Sequence, residues 1–146
     1  METLRELMKK VLADTFAMYL KAHNYHWNVE GANFPQYHEF FGNLYKELYE
    51  AVDVAAEQIR ALDSYAPGSF SRFAELTDIE DELSVPMGVE MARRLQDDNE
   101  IVLASLNMAI KLAEQFDKQG LMDFLAGRID AHSKHGWMLR SIVKNV

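Results

Sequence analysis

Residues 64–86 read SYAPGSFSRFAELTDIEDELSVP, and the fold turns on what this stretch connects. It contains Pro67, Gly68 and Pro86 and is too long for a tight turn. We read it as a crossover that carries a short helix around Phe70–Leu76. On both sides apolar residues recur at three and four, the spacing of one helical face. Upstream, Leu4, Leu7, Val11, Met18, Ala22 and Val29 mark a first helix over roughly 3–28, broken by Gly31. Phe41, Leu44, Leu48, Val52, Ala55, Ile59 and Leu62 mark a second over roughly 34–63. Pro35 falls near its first turn, where a missing N–H costs little. Downstream, a third helix is expected over roughly 86–117 with Ser84 as its N-cap. Gly120 separates it from a fourth over roughly 121–144. The eight methionines fall mostly in the apolar stripes and read as core filler.

Two long helices, one long connection and two more long helices predict an all-α, ferritin-like four-helix bundle. Strand-like alternation, short repeats and low-complexity segments are absent. The 146 residues fit a single domain spanning 1–146. No apolar run approaches the roughly 20 residues that span a membrane. The N-terminal METLRELMKK lacks the apolar centre and cleavage site of a signal peptide. There is no cysteine, which excludes disulfides and thiolate metal sites and agrees with a cytoplasmic home. The formal net charge of −8 repels nucleic acid phosphates, and Lys9-Lys10 and Arg93-Arg94 are only isolated basic pairs. That balance argues against DNA binding and suits cations.

The chemistry concentrates in residues 23–43, HNYHWNVEGANFPQYHEFFGN, which hold three of the five histidines. A di-iron bundle site normally uses Glu-x-x-His motifs. The residues three before each histidine are Leu20, His23, Pro35, Ile129 and His132, so this motif is missing. The second helix offers Asp53 and Glu57 instead, spaced i, i+4 on one face beside Ala55 and Ala56. Carboxylates with imidazole suit iron or zinc. His38 and Asp53, however, are 15 residues apart on one helix, a rise of about 22 Å. Two chains packed antiparallel about a two-fold axis remove that distance. His26 and His38 of one subunit then face Asp53 and Glu57 of the other, giving two equal sites. The plainer reading is a solvated carboxylate face with hydrogen-bonded histidines.

These residues also resemble a family. HWNVEGANFPQYHE is similar to the first signature of the Dps mini-ferritins: His-Trp, a Gly five residues after the His, and a second His twelve after it. VDVAAEQIRALD resembles their second signature, and HSKHGWMLRSIV the close of their fourth helix. The resemblance covers essentially the whole chain. It implies a dodecamer built from two-fold dimers, and a ferroxidase that oxidises Fe(II), preferentially with hydrogen peroxide, and stores ferric mineral. It implies His26 and His38 as ligands from one subunit and Asp53 and Glu57 from its partner. Trp27 matches an aromatic beside the centre, with a core aromatic as the other reading. Asp123, near the start of the fourth helix, matches an acidic pore residue; a dipole-favouring Asp at a helix start is the other reading. Zinc is an admissible substitute for iron.

Gly42 departs from the pattern, which usually places an Asp four residues after the second His. His26, Asp53 and Glu57 still suffice for one iron, while the second position keeps mainly His38. Asn43, adjacent to Gly42, points about 100° away from it, and Glu39 has the same problem. Reduced activity, or a metal-binding cage with an inactive centre, is therefore the competing expectation, beside a DNA-compacting protein and a plain helical module. His132 and His135 are expected to be packing or surface residues, and His23 to border the site.

Overall fold

The computed structural model describes residues 1–146. Its elements are α1 Glu2–Asn28, α2 Phe34–Ala61, α3 Phe70–Leu76, α4 Gly88–Gln115 and α5 Gln119–Val143. The four long helices form the bundle and α3 lies in the crossover. α1 packs along both α2 and α4, and α5 packs along α4. α2 and α5 meet over only a short stretch. The groove between them opens into a cavity of about 420 Å³ lined by Phe40, Asn43, Leu44, Glu47, His135 and Met138, among others. No helix is long and apolar enough to cross a membrane.

The apolar stripes become the core. Leu4, Leu7, Val11, Met18, Ala22 and Val29 are all buried, as are Phe41, Leu44, Leu48, Ala55, Ile59 and Leu62. Val52 is only half-buried. The methionines divide differently from expectation. Met8, Met18 and Met91 are fully buried, whereas Met87 and Met108 are exposed.

Helix ends shift by a residue or two, and one cap is corrected. Ser84 does not cap α4; its hydroxyl and N–H both donate to the Glu82 carboxylate. Pro86 disfavours helical backbone at Val85, so α4 starts later, with Met87 as its N-cap. Gly88 then lies under the Tyr37 ring, where a Cβ would come within 2.8 Å. The short helix α3 is capped by Ser69, whose side chain accepts from the Arg72 N–H.

The crossover is held by buried acids. Asp14, fully buried on α1, accepts from the Thr77 hydroxyl and the Asp78 N–H and pairs with Lys10. Glu82 accepts from the buried Tyr25 hydroxyl and from Arg94. Phe73 of α3 stacks on Phe16 of α1 with centroids 4.7 Å apart. The crossover therefore follows α1 rather than looping free.

Candidate metal centre

His26 lies in the last turn of α1 and His38 in the second turn of α2. The turn between them needs Gly31, whose φ of +110° lies in the region glycine tolerates. The two imidazoles stack with centroids 3.8 Å apart and planes 16° from parallel. His26 Nδ1 lies 2.7 Å from the His38 carbonyl, and His38 Nδ1 lies 2.7 Å from the His26 carbonyl. A carbonyl only accepts, so each Nδ1 carries the proton. The Nε2 lone pairs are left for a metal, the tautomer such ligation needs.

Gly42 has a steric role here. A Cβ at this position would lie 3.0 Å from both Cε1 and Nδ1 of His26. The missing side chain gives the His26 ring its place; any other residue requires the ring to shift. Asn43 and Glu39 are exposed.

Asp53 and Glu57 stand elsewhere. Both are exposed on the same uninterrupted α2, about 22 Å of helical rise beyond His38 for Asp53. No three metal-ligating side chains converge within one chain. The structure thus joins His26 with His38 and keeps Asp53 and Glu57 apart from them. Asp123 is exposed near the start of α5.

Trp27 is not a core residue. It is 59 % exposed and lies against His23, centroids 3.9 Å apart. The His23 ring lies 6.1 Å from that of His26. Burial, with the neighbouring His26, pushes the His23 pKa below its usual value. His23 is therefore neutral near pH 7, and the Tyr19 hydroxyl lies 3.1 Å from its Nδ1.

A second polar group, inside the bundle, escaped the sequence reading. Arg128 donates to both carboxylate oxygens of Glu47, and His135 Nε2 lies 2.7 Å from Glu47 Oε1. His132, fully buried, donates from Nδ1 to Asn99 Oδ1, while Asn99 Nδ2 donates to the His132 carbonyl. Arg128 donates to His132 Nε2. Burial would raise the Glu47 carboxyl, but hydrogen bonds from His135 and Arg128 outweigh it and hold it well below the usual carboxylate range. Burial, together with the Arg128 charge, pushes His132 well below its usual value. The guanidinium already supplies the cation between Glu47 and His132, so this group is structural. His132 and His135 were expected as packing or surface residues; their partners Asn99 and Glu47, 33 and 88 residues away, were not visible, nor was Arg128.

The bundle and its long crossover define a class, the ferritin-like domain, whose family model matches residues 5–146. DNA protection during starvation protein 2 of Bacillus anthracis is 30% identical over 138 residues, covering 94% of this chain and 94% of that one. General stress protein 20U of Bacillus subtilis is 29% identical over 140 residues, covering 96% and 97%. The Dps crystal structure from Staphylococcus aureus superposes with a TM-score of 0.94 at 26% identity, covering 100% of this chain and 98% of that one. The Dps structure from Vibrio cholerae, described as a member of the ferritin-like diiron-carboxylate superfamily, gives 0.94 at 26%, covering 98% and 90%. Within the ferritin-like class, this chain belongs to the Dps family.

Proposed function

We propose that this protein binds and stores iron, oxidising Fe(II) with hydrogen peroxide at sites shared between two subunits, and so protects the cell from oxidative damage. The observation that carries this reading is the reciprocal His26–His38 lock. It presents two Nε2 lone pairs at one end of α2, while Asp53 and Glu57 stay exposed on the same helix. A two-fold antiparallel pairing of α2 with its copy completes the ligand set.

Iron is the substrate and cargo. Carboxylates hold hard Fe(II) and neutral imidazole completes its coordination. His26 with the partner's Asp53 and Glu57 forms the stronger position; His38 alone serves the weaker, because Gly42 offers no ligand. Zinc competes for the same donors. Twelve subunits built from two-fold dimers enclose the ferric product, and Asp123 lines a pore through which ions enter. The net charge of −8 favours protection by removing iron and peroxide over direct DNA binding. The protein works in the cytoplasm.

The test is anaerobic loading of the metal-free protein with Fe(II), then peroxide, following ferric absorbance and peroxide consumed. Fast oxidation that disappears in Asp53→Ala/Glu57→Ala supports the reading. Fe(II) binding with oxidation no faster than in that variant replaces it with a metal-binding cage. Gly42 is the observation that favours this second reading.

A further inference from the structure

The His26 ring opens onto a run of aromatic groups that leads away from the centre. Tyr45 lies 5.2 Å from His26 and 3.7 Å from His23, parallel to the latter within 5°. Tyr19 lies 6.2 Å from Tyr45 and 5.1 Å from Tyr49. From His26 to Tyr19 the rings are neighbours throughout, with no aliphatic gap. Tyr19 differs from the other aromatic groups because its hydroxyl faces a base, His23 Nδ1 at 3.1 Å. It is also half-buried, whereas Trp27 and Tyr49 are 59 % and 60 % exposed.

That geometry is suited to losing an electron. A phenol that is oxidised becomes strongly acidic, and oxidation is easy only where a base takes the proton at the same time. Tyr25, whose hydroxyl donates to the Glu82 carboxylate, packs on Phe41 outside this run. Within the run Tyr19 meets the condition. The need for it follows from Gly42. Reducing peroxide to two waters takes two electrons, and one Fe(II) supplies one. A centre whose second iron position lacks a carboxylate will often hold a single iron. One-electron cleavage of peroxide then releases hydroxyl radical beside the protein.

We infer that Tyr19, with His23 as proton acceptor and Tyr45 as bridging ring, supplies the second electron when a lone Fe(II) at this centre meets hydrogen peroxide. The inference rests on the ferroxidase reading above. Fe(II) loses one electron and becomes Fe(III). Tyr19 loses one electron through Tyr45, and its phenolic proton passes to His23 Nδ1. The O–O bond breaks, and two protons from solvent complete two waters. A later Fe(II) reduces the Tyr19 radical, the proton returns from His23, and the pair is reset.

Two measurements test it. In the metal-free protein, a flash-generated ruthenium(III) tris-bipyridine complex serves as a one-electron oxidant, with radicals identified by electron paramagnetic resonance. The expected result is a tyrosyl signal that is lost in Tyr19→Phe and forms more slowly in His23→Phe, which keeps a stacked ring but has no base. A signal that settles on Trp27, or is unchanged in Tyr19→Phe, overturns the inference. Second, Fe(II) at one equivalent per site is mixed with peroxide and freeze-quenched. A tyrosyl signal is expected in the parent protein. Its loss in Tyr19→Phe should come with a rise in hydroxyl-radical spin-trap adducts. Rapid ferric formation without a tyrosyl signal overturns the relay and leaves the ferroxidase reading standing. Ferric formation no faster than in Asp53→Ala/Glu57→Ala overturns that reading, and the relay with it.

Discussion

His26 and His38 each donate an Nδ1 proton to the other's backbone carbonyl at 2.7 Å. Because each lock runs from side chain to backbone, removing one imidazole leaves the other oriented. The two positions should therefore fail separately. His38→Ala should retain most Fe(II) affinity at the position shared by His26, Asp53 and Glu57. His26→Ala should weaken binding there by more than the ~10–100-fold seen for losing a mere supporting partner. Anaerobic titration calorimetry with Fe(II) distinguishes them, and equal losses in both variants would contradict the asymmetry.

A site shared across a two-fold axis predicts complementation. A chain carrying His26→Ala/His38→Ala and one carrying Asp53→Ala/Glu57→Ala should each be inactive alone. After the two are unfolded together and reassembled, half the dimers are mixed, and each mixed dimer has one intact site. Roughly a quarter of the parent activity should return, by the symmetry of such an interface. A site built within one chain would recover none.

Gly42 should trade stability against metal binding. Gly42→Ala gains helix propensity worth up to ~1 kcal/mol, but its Cβ starts 3.0 Å from the His26 ring. The expected outcome is a urea midpoint unchanged or slightly raised, with Fe(II) affinity lowered as His26 is pushed aside. Unaltered affinity would mean the ring moves freely and the close approach has no function.

Much of this was readable before the structure. The stripes of α1 and α2 pointed to the core because burial follows helical period, and the Pro67–Pro86 segment marked the crossover. The His26–His38 pairing was legible because both flank one short turn. Ser84 misled because a residue with good capping chemistry was blocked by Pro86. Gly42 looked like a loss, since a sequence does not display which side chain fills the space of a missing Cβ. Asn99, Glu47 and Glu82 were invisible as partners because their contacts cross between elements far apart in the chain.

Asn99 uses both ends of its amide on His132, and both residues are fully buried. Asn99→Leu keeps the branched shape but strands the His132 Nδ1–H away from water. An unmet buried donor costs about 1–3 kcal/mol, so the urea midpoint should fall accordingly. A double variant that also replaces His132 by Leu should lose less than the two separate effects added. Full additivity would mean the pair is not coupled.

Glu82 should make the crossover sensitive to acid. Burial acts to raise its carboxyl, but hydrogen bonds from Tyr25, Arg94 and Ser84 outweigh this and bring it from 4.5 down to about 2. A carboxyl whose folded value lies below its unfolded value stabilises the fold above the unfolded one. That contribution is lost as pH falls through the folded one. Glu82→Gln removes the charge held by Tyr25 and Arg94, and hydrogen bonds to charged groups contribute about 1.5–3 kcal/mol. At neutral pH the variant should be less stable by about that amount. The difference should shrink as pH falls below 4.5 and vanish near 2. Urea unfolding of both proteins, at one fixed chain concentration across the pH series, reads it directly. A difference that stayed constant down to the lowest pH would assign the loss to altered packing instead of charge.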